Sequence, residues 1–266
     1  THVSIPMFTP KGTLEAIERH RPTHVLLVPV MILMMMDSEK LKESDVSSVE
    51  LIAYGASPIT EAALQKAFEE FPSAKFLQAS GQTELSPVAT ILDTSHHSTE
   101  GLKSGKLRSC GRATRVCEIR IVDEKDQDVQ TGDIGHIIVR GPITMLGYWN
   151  KPDVTAETIK DGWLYTGDVG YMDEDGLIYL MGRHKDMIVS GGENLYSTEV
   201  ENALARHTAV ATSAVLGIPH EKWGEVVHTI VILKPGNNVS EAALKEHCHT
   251  LIAGYKCPQS ILFRTE

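Results

Sequence analysis

The chain has 266 residues, with 25 basic against 35 acidic side chains and a net charge of -10. That balance repels nucleic-acid phosphates and anionic lipid alike, so neither is an expected partner. The length suits one large domain or two modest ones with ample core. The four cysteines, Cys110, Cys117, Cys248 and Cys257, form no CxxC pair and no metal-ligand spacing, as expected of reduced structural thiols in a cytoplasmic protein.

From residue 12 to about 91, helical and strand patterns alternate. LEAIERH (14–20) has helical spacing. The longest apolar run, VLLVPVMILMMM (25–36), is too short to span a bilayer and contains Pro29, so a buried strand running into a helix is expected and no integral membrane segment. It also lacks the basic lead and small-residue cleavage site of a signal peptide. VELIAYG (49–55), an amphipathic stretch at 59–70 and AKFLQAS (74–80) continue the alternation, which argues for parallel α/β structure with ligands at the carboxyl ends of the strands. From about 109 to 181 the pattern changes to short strands, CEIRIVD, GHIIVRG, GWLYTGD and GLIYLMG, separated by turns such as MDEDG.

After Lys185 a third pattern begins. STEVENALARH (197–207) reads as a helix with Ser197 as its N-cap. VATSAVLGI and VVHTIVILK then read as strands, and a second helix is expected from 240 to about 252. Helix, strand, strand, helix describes a compact α+β unit of about 80 residues.

Three places carry candidate chemistry. Gly55-Ala56-Ser57-Pro58 closes a strand and offers backbone amides and carbonyls to a flat heteroaromatic edge, or is a plain strand-to-helix turn. Gly81-Gln82-Thr83-Glu84 sets a hydroxyl beside a carboxylate, which suits a phosphate oxygen and its magnesium ion; the other reading is a capped helix start. In residues 162–194, Asp168 follows the Thr166-Gly167 turn, where a carboxylate at a strand end accepts from the vicinal hydroxyls of a ribose. Arg183, across a hairpin, reaches the same ligand, and Gly191 and Gly192 permit close approach of backbone.

This run, together with YGASPIT (54–60), GQTE (81–84) and GYKCP (254–258), resembles the central motifs of the adenylate-forming superfamily, which includes acyl-CoA and aryl-CoA synthetases, beetle luciferases and peptide-synthetase adenylation domains. The resemblance extends along the whole chain. It implies an α/β fold: the remainder of a large α/β plus β-rich domain at 1–184, α/β to about 93 and β-rich from about 94, followed by a mobile small α+β domain at 185–266. The implied function is that of an acid–thiol ligase, which activates a fatty or aryl acid with ATP to an acyl adenylate and transfers the acyl group to coenzyme A.

By that resemblance, Gly55, Ala56 and Ser57 line adenine, Thr83 faces the phosphate and substrate carboxylate, Gln82 belongs to the same nucleotide-binding set, and Glu84 holds Mg2+. Asp168 and Arg183 hold the ribose of ATP or AMP, and Lys185 is the hinge about which the small domain swings. Gly191 and Gly192 line the pantetheine tunnel of coenzyme A. Trp223 in HEKWGE packs on that cofactor or is a half-exposed core residue. Tyr255 and Lys256 fit the nucleotide end of coenzyme A, Lys256 being the weaker candidate because a lone lysine is usually solvated.

Some positions depart from the family pattern. Ser80 replaces a common aromatic that stacks on adenine, a loss on the order of 1 kcal/mol. Ser197 replaces a frequent proline and Cys257 an arginine. The glycine- and serine-rich phosphate loop with its lysine is not among these residues, nor is the aromatic-rich segment that follows it. The chain opens on Thr1 and stops at FRTE (263–266), before the segment in which relatives carry the adenylation lysine. The expectation is therefore a chain cut at both ends, inactive in adenylation by itself, with an apolar face that favours self-association. Alternatives are an adenylation domain that loads a carrier protein, luciferase-like oxidation, and a non-catalytic nucleotide-binding remnant. Small residues at Ala79, Ser80 and Gly81 leave room for a chain or aryl group without naming the acid.

Overall fold

The computed structural model describes residues 2–57 and 59–265, with Thr99 described by its backbone alone. Two compact units are distinguished: one comprises Thr1–Asp133, Ile138–Thr166 and Tyr171–Tyr179, the other Ile134–Ile137, Gly167–Gly170 and Leu180–Glu266.

The first unit opens with α1 (Pro10–His20), β1 (His24–Leu27), α2 (Pro29–Met36), α3 (Glu39–Glu43), β2 (Leu51–Gly55), α4 (Glu61–Glu70) and β3 (Lys75–Ser80). β4 (Thr90–Leu92), α5 (Thr99–Ser104) and β5 (Arg112–Ala113) follow. Local chemistry sets the helix starts. Thr9 accepts from the Gly12 amide ahead of Pro10 at the first helical position, and Thr60 accepts from the Ala63 amide. β1, β2 and β3 pair in parallel, as the alternation predicts, in a sheet of order β1-β2-β3-β4-β5. β4 joins β3 antiparallel across residues 81–89, a connection shorter than a parallel crossover needs, and β5 adds antiparallel to β4. The core beneath is built from Leu14, Ile32, Ile52, Tyr54, Leu64 and Phe76.

α2 is apolar on every side. It buries Ile32, Met35 and Met36 yet leaves Val30 55%, Met34 46% and Leu33 38% exposed. The predicted strand-then-helix is present, but its burial is one-sided.

A second sheet is formed by β6 (Glu118–Val122), β7 (Gly135–Arg140), β8 (Ile159–Lys160), β9 (Trp163–Met172) and β10 (Ile178–Arg183), in the order β10-β9-β7-β6 with β8 on β9; α6 (Pro152–Thr158) precedes β8. One expectation is corrected here. Asp168 stands within β9, not at a strand end, because Gly167 absorbs the local irregularity at φ 75 and the strand continues past it.

The remainder of the second unit carries a third sheet: β11 (Ile188–Ser190), β12 (Glu193–Leu195), β13 (Val210–His220), β14 (Gly224–Leu233) and β15 (Ser260–Arg264), with α7 (Ser197–Ala205) and α8 (Glu241–His249). Its order is β12-β11-β14-β13, with β15 parallel to β14. Val200, Leu204, Val227, Val231, Leu244 and Ile261 form its core. Ser240 caps α8 by accepting from the Ala243 amide. Ser197 does not cap α7: it is the first helical residue, behind Tyr196, which makes no side-chain capping bond. Among the described residues, no helix is long and apolar enough to cross a membrane.

Candidate functional site

Two turns leave the carboxyl ends of adjacent parallel strands in the first unit. Gly55 ends β2 opposite Ala79 of β3, and an added Cβ there would lie 2.0 Å from the Ala79 carbonyl oxygen, so only glycine lets the strands meet. Ala56 follows at φ 71, a left-handed conformation that an alanine adopts at a cost of about 1 kcal/mol or more, and both Ala56 and Ser57 are exposed. Pro58 lies outside the described residues.

Beyond β3, Gln82 is extended and Thr83–Leu85 form a short 3-10 turn with Leu85 buried, Glu84 half-buried and Thr83 exposed. Glu84 is held at both ends. Its Oε1 accepts from the Tyr148 hydroxyl at 2.8 Å and its backbone carbonyl accepts from the Met145 amide at 2.8 Å. Tyr148 was not singled out by the sequence, where its 64-residue separation from Glu84 carries no local signal.

Beneath the same strand ends, the Tyr54 hydroxyl lies 2.9 Å from His97 Nε2 and 3.4 Å from Gln78 Oε1. His97 Nδ1 sits 2.9 Å from the Asp93 carbonyl, which only accepts, so Nδ1 carries the proton and Nε2 accepts from the phenol. Burial pushes the His97 pKa down to about 4 and raises that of Tyr54, so both are neutral near pH 7.

In the second unit, Asp168 Oδ1 pairs with Arg183 Nε at 3.0 Å, bringing the two predicted ribose residues together. Burial raises the Asp168 pKa above the ordinary carboxylate value, and the Arg183 guanidinium partly offsets that. Lys185 is exposed in the short turn His184–Asp186.

Ser190 pairs with Glu193 around Gly191 and Gly192, at φ 62 and 90, which is a two-residue hairpin turn requiring positive φ at both positions. The Gly191 amide donates to the Trp223 carbonyl at 2.8 Å, and an added Cβ at Gly191 would stand 3.0 Å from the indole. Trp223 is 44% exposed, with the Lys222 ammonium 4.6 Å from its ring centroid. Tyr255 is 54% exposed. Lys256, the weaker candidate for the nucleotide end of coenzyme A, is half-buried rather than freely solvated, and its Nζ donates to both Glu199 oxygens at 2.9 and 2.7 Å.

Comparison with known proteins agrees with these motifs. The AMP-binding enzyme family matches residues 1–149, and the AMP-binding enzyme C-terminal domain matches residues 199–266. The medium/long-chain-fatty-acid–CoA ligase FadD8 of Mycobacterium tuberculosis is 40% identical over 243 residues, 91% of this chain and 42% of the ligase. The amide bond synthetase McbA from Marinactinospora thermotolerans superposes at TM-score 0.91 with 32% identity, covering 98% of this chain and 53% of that one. O-succinylbenzoate coenzyme A synthetase from Bacillus subtilis, solved with ATP and magnesium ion, superposes at 0.83 with 31% identity over 97% of this chain and 51% of its own. The chain thus spans about half the length of the relatives it matches. From the paired turns at the strand ends to the C-terminal hairpin, motif, fold and relatives agree: the chain belongs to the AMP-binding enzyme family.

Proposed function

We propose that this chain is the central and C-terminal part of an ATP-dependent acid–thiol ligase, which forms an acyl adenylate from a fatty or aryl acid and passes the acyl group to coenzyme A. The observation that carries this reading is the pair of exposed turns at the carboxyl ends of parallel β2 and β3, one strained at Ala56 and the other presenting Thr83 beside a restrained Glu84. Gly55, Ala56 and Ser57 line the purine, Gln82 and Thr83 bind phosphate, and Asp168 and Arg183 hold the ribose. The ligase and magnesium–ATP likenesses support the same assignment.

A hard carboxylate oxygen suits magnesium, and Glu84 supplies one: its Oε1 is occupied by the Tyr148 hydroxyl, while Oε2 makes no hydrogen bond among the described residues. Bound there, the ion would spread charge from the phosphates. The chain's own residues contribute position. Backbone at Gly55–Ser57 meets the base, the Thr83 hydroxyl orients the phosphate, and the Asp168–Arg183 pair fixes the sugar.

Residues 185–266 act in this proposal as a mobile domain hinged at Lys185. Gly191, Gly192 and Trp223 form the pantetheine passage, and Tyr255 meets the nucleotide end of coenzyme A. Lys256, paired to Glu199, is held beside that surface and is the weaker contact for the same end. The likeness to an amide bond synthetase favours one second reading, in which an amine replaces the thiol as acyl acceptor.

The test is calorimetric titration of AMP and magnesium–ATP into the chain, with pyrophosphate assayed in the presence of fatty and aryl acids. Nucleotide binding without acid-dependent pyrophosphate is expected, since no phosphate loop is present in these residues. Undetectable nucleotide binding would overturn the assignment, and pyrophosphate release would overturn the predicted inactivity.

A further inference from the structure

Tyr148 does more than fill space beside the Glu84 turn. Three bonds tie residues 143–148 to residues 84–86: the Tyr148 hydroxyl to Glu84 Oε1 at 2.8 Å, the Met145 amide to the Glu84 carbonyl at 2.8 Å, and the Ser86 hydroxyl to the Ile143 carbonyl at 2.9 Å. Tyr148 is anchored in turn, its amide donating to Thr155 Oγ1 at 2.9 Å, and Thr155 Oγ1 donates to the Lys151 carbonyl at 2.8 Å. A line of hydrogen bonds therefore runs from the start of α6 to one oxygen of the Glu84 carboxylate.

We propose that Tyr148 is a positioning residue that presents Glu84 to the metal. The inference rests on the assignment of Glu84 as the magnesium ligand. A free glutamate samples many rotamers, and ordering it on binding costs part of the gain. The phenol takes one carboxylate oxygen and leaves the other, so the side chain is restrained before the ion arrives, as partners of metal ligands commonly do. The donor's chemistry matters as well. A lysine or arginine in this place would cancel the negative charge that attracts the cation, whereas a neutral phenol restrains the carboxylate and leaves its charge intact.

The experiment compares the chain with Tyr148→Phe, Glu84→Gln and the double variant, using Mn2+ with ATP followed by electron paramagnetic resonance. ATP affinity in EDTA and the thermal midpoint are measured on the same samples. Tyr148→Phe is expected to raise the Mn2+ concentration at half-saturation on the order of tenfold while ATP affinity in EDTA stays unchanged. The double variant should be no worse than Glu84→Gln alone, because the phenol acts through that carboxylate. If Glu84→Gln weakens Mn2+ binding and Tyr148→Phe does not, the positioning role is overturned and the ligand assignment stands. Equal weakening of metal-dependent and metal-free binding by Tyr148→Phe reduces the tyrosine to a structural prop and also overturns it. If Glu84→Gln leaves Mn2+ binding unchanged, or the unaltered chain binds no Mn2+–ATP, the ligand assignment fails and takes the inference with it.

Discussion

Tyr54 donates its hydroxyl proton to His97 Nε2 at 2.9 Å, in a chain that ends with His97 Nδ1 on the Asp93 carbonyl. The two rings also meet edge to face at 5.6 Å between centroids. Protonating His97 would place a second donor opposite the phenol, and burial already disfavours the charged ring. The chain therefore holds His97 neutral against Tyr54, the residue that precedes Gly55 in β2.

A pH dependence of stability follows. The His97 pKa is depressed to about 4 in the fold, against an ordinary value of 6.5, so the unfolded chain binds the extra proton between those values. Stability contributed by this group is present above pH 6.5 and lost as pH falls towards 4, by roughly 3 kcal/mol at most. Denaturant unfolding between these limits checks it: His97→Gln should flatten the slope, and an unchanged slope would remove His97 as its source.

Gly55→Ala should cost at least about 2 kcal/mol, since the new methyl meets the Ala79 backbone at 2.0 Å and no side chain can yield. Gly132→Ala is the control. Its φ is 91 with open space around the added atom, so only the backbone cost of about 1 kcal/mol applies. Comparing the two denaturation midpoints separates close approach from conformational preference, and equal losses would argue against the close contact.

Lys256→Met should destabilise the second unit by roughly 1–2 kcal/mol, because it leaves the half-buried Glu199 carboxylate without its ammonium. Adding Glu199→Leu should recover much of that loss. A Lys256→Met variant that weakens coenzyme A binding and leaves the melting curve unmoved would instead make Lys256 a ligand contact.

Asp168→Asn is expected to weaken AMP binding about tenfold or more, since the acceptor proposed for the ribose hydroxyls becomes a neutral amide. Burial raises the Asp168 pKa, so the carboxylate form is lost at a higher pH than for an ordinary aspartate. AMP affinity should accordingly decline as pH is lowered towards the carboxylate range, and the Asn variant should lack that decline. An affinity indifferent to the substitution would remove Asp168 from the ribose site.

Elements with local causes can be read from neighbouring residues alone. Thr9, Thr60 and Ser240 cap their helices through bonds three residues away, and Gly191-Gly192 closes a hairpin that needs positive φ twice. The family is legible in the same way, because the turns that carry the motifs are short contiguous runs. Other features depend on partners far along the chain and arise only on folding. Asp168 lies within β9 because neighbouring strands continue the ladder past Gly167, whatever the local turn signal. Glu199 captures Lys256 from 57 residues away, Tyr148 reaches Glu84 across 64, and Tyr54 reaches His97 across 43. No periodicity or motif encodes those pairings, because packing brings each donor to its acceptor only once the sheets have formed.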